Sequence, residues 1–190
     1  MRLILASASP RRLDLLARIG VNPEAVEPAD IDESVWPGEL PRDHALRLAS
    51  EKAAAVAARF PDDLVLAADT VVAVGRRILP KVEDEATLRQ CMALLSGRRH
   101  RVLTAVALAL PGGEKRSRLV ETMIAMKRLS PEEITFYSAH GEWRGKAGGY
   151  ALQGYGEVYV RHIAGSYSNV VGLPLAETRH LLKSAGFALA

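Results

Sequence analysis

The stretch Leu64-Val-Leu-Ala-Ala-Asp69-Thr70-Val-Val-Ala-Val74 decides the fold. Apart from Asp69 and Thr70 it is wholly apolar, and its valines favour extended backbone. Such a run predicts a strand buried on both faces, as at the centre of an α/β sheet. Asp69 breaks the pattern. A carboxylate midway along a buried strand is costly unless it is hydrogen-bonded, paired with a cation or bound to a metal. Structural aspartates of this kind usually cap something near a strand end, and here the strand runs on. Asp69 is therefore read as functional, either binding a divalent metal or activating water for attack on phosphorus.

On the N-terminal side, Arg2 to Ala6 reads as a short buried strand rather than a signal peptide, because its apolar run is too short. Ser9-Pro10 has the form of an N-cap with proline in the first helical position, opening a helix to about Ile19. Leu13, Leu15, Leu16 and Ile19 supply its apolar stripe, and Gly20 stands at its C-cap. Residues 21–40 read as irregular, with Asp30, Asp32 and Glu33 close together, and a helix follows from about Pro41 to Ala58.

On the C-terminal side, a helix is expected from Asp84 to Leu95. An antiparallel pair, Arg101 to Leu110 and Arg118 to Lys127, turns at Pro111-Gly112-Gly113. Ser130-Pro131-Glu132-Glu133 is a capping box. A glycine-rich stretch at 145–156, a strand near 157–163 and a helix near 174–185 complete the chain. This order predicts an α/β fold with a central mixed sheet flanked by helices. The 190 residues fit one domain, or two small lobes around a cleft.

Three more places depart from what a fold alone would ask. Arg11-Arg12 lies in the opening turn of the first helix, where the macrodipole disfavours cations. A bound anion reverses that sign, and free N–H groups after Ser7-Ala8-Ser9 with two guanidinium forks suit a polyphosphate. The bland alternative is two solvated arginines. Lys52 falls within the apolar stripe of Ala45, Ala49, Ala53 and Val56, so it must snorkel to water or meet an anion. The third is Gly148-Gly-Tyr-Ala-Leu-Gln153-Gly154-Tyr-Gly156. Its glycines permit close ligand approach, and Gln153 offers amide donors and an acceptor suited to the edge of a base.

Other chemistry finds no support. The five histidines show no metal-ligand spacing, no nucleophile elbow or P-loop occurs, and Cys91 lies on an apolar helical face. A single cysteine excludes an internal disulfide and suits a reducing, cytoplasmic compartment. No run reaches the roughly 18 apolar residues of a membrane span. The pI of about 9.2 would admit nucleic acid, but the net charge is only +3 and no basic tract is interleaved with aromatics. A small anionic substrate fits at least as well. The expected partners are an anionic small molecule and, left open, a second copy of the chain; a membrane and nucleic acid are not expected.

Taken together the segments resemble the Maf family of nucleotide pyrophosphatases. The matching pieces are Leu5-Ala-Ser-Ala-Ser-Pro-Arg-Arg12, Asp30-Ile-Asp-Glu33, Lys52, Ala67-Ala-Asp-Thr-Val-Val72, Lys81, Leu95-Ser-Gly97, Ala147 to Gly154, and Ile163 to Leu175. The resemblance implies a deep cleft in a fold similar to the inosine triphosphate pyrophosphatases. It also implies release of pyrophosphate from non-standard, modified or pyrimidine triphosphates, with Mg2+ or Mn2+. On that pattern Asp69 is the general base, or a metal ligand with Glu33. Arg11 or Arg12, Thr70 and Gln153 set specificity, and Ser7, Glu33, Lys52 and Lys81 line the site. Gly-Tyr-Ala-Leu-Gln-Gly resembles the branch preferring dTTP and UTP; the alternatives are a 7-methyl-GTP pyrophosphatase and a nucleotide- or nucleic-acid-binding regulator of cell division. Pro80-Lys81-Val82 departs from the family's Gly-Lys-Pro, which bears on where Lys81 stands.

Overall fold

A computed structural model describes residues 1–189. Strands β1 (Leu3–Ala6), β2 (Ala25–Val26), β3 (Leu64–Val74), β4 (Arg77–Leu79), β6 (Arg99–Ala109), β7 (Lys115–Met126) and β9 (Val160–Ala164) form one seven-stranded sheet. Its order is β2-β1-β3-β6-β7-β9, with β4 hairpinned onto β3. β1 runs parallel to β2 and β3, and the other pairings are antiparallel, so the sheet is mixed as expected. A separate two-stranded ladder joins β5 (Lys81–Val82) to β8 (Lys146–Ala147).

Helices cover both faces. Leu3 and Leu5 of β1, with Leu64 and Leu66 of β3, pack under α1 (Pro10–Ala17) and α6 (Leu175–Ser184) through Leu15, Leu16, Leu181 and Leu182. The alternate residues Ile4, Ala6, Val65 and Ala67 face α2 (Pro41–Ala57), whose Ala45, Ala49 and Ala53 let it approach the sheet closely. A third cluster, around Trp143, Tyr137 and Tyr159, joins α3 (Glu85–Leu95) and α4 (Pro131–His140) to the far end of the sheet.

β3 spans the expected residues, and Ser130 and Glu133 form the expected capping box. Differences are local. α1 ends at Ala17, because Gly20 at φ +70° lets the Val21 N–H donate to the Leu16 carbonyl at 3.0 Å. Leu13 points to solvent and is no part of the stripe. Ser9 holds the N-cap position without a side-chain cap; its own N–H donates to Ser7 Oγ at 3.1 Å. The segment read as a strand near 157–163 begins as a 3-10 turn, Tyr155–Tyr159, and becomes β9 only at Val160. A short helix, α5 (Tyr167–Val171), was not expected. No helix of the described residues is long and apolar enough to cross a membrane.

Candidate active site

Strand alternation divides the two polar residues of β3 between the faces. Asp69 falls on the α2 side with Val65 and Ala67, and Thr70 on the α1 side with Leu66 and Ala68. The residue after β1, Ser7, shares the Thr70 side. A cleft of about 590 Å3 opens at this end of the strands, within the usual size of small-molecule sites. Ser7, Arg11, Arg12, Glu33, Lys52, Asp69, Thr70, Lys81 and Gln153 all line it.

On the α2 side, Lys52 is buried and does not snorkel. Its Nζ donates to Asp69 Oδ1 at 2.7 Å and lies 2.6 Å from Glu33 Oε1. Lys81 pairs with the other oxygen of Glu33. Burial opposes ionisation of Glu33, but the bonds and charges of Lys52 and Lys81 outweigh it and hold the carboxyl at about 2. Pro80 does not displace Lys81: the Pro80 carbonyl accepts from Gly148 N at 3.0 Å, and Lys81 pairs with Ala147 across the β5–β8 ladder.

On the α1 side, the two arginines have different surroundings. Arg12 is built into the wall. Its Nε donates to the Gly172 carbonyl at 2.9 Å, Nη1 to Ser7 Oγ at 3.2 Å and Nη2 to Thr70 Oγ1 at 3.3 Å. Burial lowers its pKa from the ordinary arginine value, against the charge of Asp69. Thr70 continues the chain to Thr104 at 3.0 Å, and Thr104 donates to the Asn169 carbonyl at 2.9 Å. Arg11 makes no such bonds among the described residues, and its guanidinium stands in the cleft wall free to meet an anion.

Two residues of the cleft, Lys146 and Glu142, were not singled out by the sequence reading. Lys146, at the start of the glycine-rich stretch, lines the cleft and donates to the Glu142 carbonyl; burial, then the charge of Arg11, lowers its pKa. Glu142 organises the segment after Gln153, accepting from Tyr155 N at 2.9 Å and Gly156 N at 2.7 Å. A Cβ on Gly154 would meet Glu142 Oε2 and push that carboxylate off the Tyr155 and Gly156 amides. Tyr150 shares a 2.7 Å hydrogen bond with buried His100. The signal for Lys146 and Glu142 was their nearness to Gly148-Gly149, with no rule-breaking environment to single them out.

The cleft thus sets five cationic side chains against three carboxylates, a surplus suited to a polyanion. Glu33 and Asp69 already converge on one ammonium, and no third His, Cys, Asp or Glu joins them among the described residues. Two carboxylates without nitrogen or sulfur ligands fit a hard divalent ion that fills its shell with water and phosphate oxygens. They do not fit a closed structural zinc site.

Comparison with known proteins identifies the family of the whole chain. The family model described as Maf-like protein matches residues 2–185. The dTTP/UTP pyrophosphatase of Novosphingobium aromaticivorans is 64% identical over 184 residues, covering 97% of this chain and 92% of the relative. The protein of that name from Caulobacter vibrioides is 62% identical, with 97% and 96% covered. That from Paramagnetospirillum magneticum is 61% identical, with 98% of each chain covered. Among solved structures, a HAM1 protein from Coxiella burnetii superposes with a TM-score of 0.51 at 15% identity, over 97% of this chain and 100% of that one. That likeness speaks to the fold alone. With the family model spanning nearly the whole sequence, and relatives above 60% identity end to end, this chain belongs to the family of Maf-like proteins.

Proposed function

We propose that this protein is a nucleoside triphosphate pyrophosphatase that hydrolyses dTTP and UTP to the monophosphate and pyrophosphate. The observation that carries the reading is a buried carboxylate, Asp69, held beside Glu33 by Lys52 in a cleft rich in cations. The names of the relatives support the substrate class.

The triphosphate lies along Arg11, Lys81 and Lys146, which offset part of its roughly four negative charges. Arg12 holds the Ser7 and Thr70 hydroxyls in place from behind. Asp69 orients a water in line with the α-phosphorus and takes its proton. The water oxygen bonds to that phosphorus, the bridge to the β-phosphate breaks, and pyrophosphate leaves. Glu33 and Asp69 are the residues that would hold a divalent ion, Mg2+ or Mn2+, which would supply charge neutralisation on the phosphates. Lys52 bridges the two carboxylates and holds them facing the cleft. Gln153 meets the edge of the pyrimidine. The work is mostly positioning and charge stabilisation.

Hydrolysis in water enriched in oxygen-18 tests the point of attack. Label in the monophosphate fits attack on the α-phosphorus; label in pyrophosphate or orthophosphate contradicts it. The buried, single Cys91 accords with a cytoplasmic setting, where such an enzyme would clear unwanted triphosphates from the nucleotide pool.

A further inference from the structure

Glu33 lies in the irregular segment between β2 and α2, so no strand or helix ladder fixes its backbone. Side chains of α2 fasten the residues that follow Glu33: His44 Nδ1 lies 2.8 Å from Glu39 Oε2, and Arg47 makes the larger share of the contacts. Arg47, on α2 five positions before Lys52, donates Nη2 to the Ser34 carbonyl at 2.9 Å. The same guanidinium grips Glu39 twice, Nε to Oε1 at 2.6 Å and Nη2 to Oε2 at 2.9 Å. Its carbon stands 4.0 Å over the Trp36 ring. Arg47 and Glu39 are partly buried, their side chains 11% and 6% exposed. One planar fork thus holds positions 34, 36 and 39, a task beyond the point charge of a lysine. Ser34 is the chain neighbour of Glu33, so its carbonyl fixes where the Glu33 carboxylate can stand.

We propose that Arg47 is a positioning residue for the acidic side of the cleft: it fastens the 34–39 segment to α2 and so holds Glu33 beside Lys52 and Asp69. Arg47 itself does not line the cleft, and its effect passes through Glu33. The inference rests on the reading of Glu33 as a ligand for the divalent ion.

The chain carries its own reporter. It has two tryptophans, and Trp143 is buried at 2% exposure while Trp36 is 54% exposed under Arg47. Acrylamide quenching therefore reads the segment separately from catalysis. Arg47→Lys keeps a cation for Glu39; a second protein, Arg47→Met with Glu39→Gln, removes both charges together and so avoids a stranded, partly buried carboxylate. In each, Trp36 should become more quenchable. The magnesium concentration giving half-maximal pyrophosphate release from dTTP should rise about 10–100-fold, while the preference for dTTP over 7-methyl-GTP stays as in the native protein. Native quenching or a native magnesium requirement in a folded variant overturns the proposal. If the unaltered protein releases no pyrophosphate with any metal, the functional reading falls instead, and quenching alone still judges Arg47.

Discussion

Lys52 and Asp69 meet across the interface of α2 and β3, the lysine Nζ 2.7 Å from the aspartate Oδ1 with both side chains buried. Each makes poor sense without the other. A lysine in the alanine stripe of α2 and an aspartate in a valine-rich strand are both costly alone, and together they neutralise one another. The first prediction follows. Lys52→Met leaves Asp69 buried without its cation and should lower stability by about 3 kcal/mol, at the low end for such pairs because water enters the cleft. Adding Asp69→Asn should recover most of the loss. Urea unfolding at neutral pH measures both, and a strictly additive double variant contradicts the pairing.

Asp69→Asn alone keeps the shape of the side chain but removes its basicity. Turnover should fall by about 10²–10⁴-fold, with nucleotide binding still measurable by calorimetry. Near-native turnover would remove Asp69 from the role of base.

His100 gives a pH signature away from the chemistry. Burial holds its imidazole pKa down at about 4, and its Nδ1 has no hydrogen-bond partner among the described residues. The folded form keeps the ring neutral, whereas the unfolded chain takes up the proton near 6.5. The unfolded state therefore binds more protons between those values. Stability is whole above about 6.5 and declines as pH falls toward 4, by about 2 kcal/mol between pH 7 and pH 5. His100→Gln retains a partner for Tyr150 and should flatten that decline; an equally steep profile would show that another group carries it.

Gln153 is the test of base selection. It is exposed on the cleft wall, in a segment that Glu142 holds through Tyr155 and Gly156. Gln153→Ala should lower kcat/KM for dTTP and UTP by about tenfold, the worth of one or two hydrogen bonds, and leave inhibition by inorganic tripolyphosphate unchanged. Equal weakening of both would assign Gln153 to the phosphates.

What the sequence made legible was what broke a local rule. Asp69 in β3, Lys52 in an alanine stripe and paired arginines at a helix start could be picked out one by one, because each costs energy alone. The structure adds the partners that make them affordable. Long, strongly patterned elements such as β3 were readable to the residue, while α5, five residues long and opened by Ser166, carried too short a period to recognise. Lys146 and Glu142 broke no rule. Their importance arises from contacts across the chain, as does the unequal standing of Arg11 and Arg12, which are adjacent in sequence but differently surrounded.

The central claim is tested most directly by the products that purified protein makes from dTTP, UTP, CTP and 7-methyl-GTP with magnesium or manganese. The account predicts monophosphate and pyrophosphate, fastest from dTTP and UTP, dependent on the metal and lost with Asp69→Asn. Orthophosphate in place of pyrophosphate, or no turnover of any of the four by a folded protein, would contradict it.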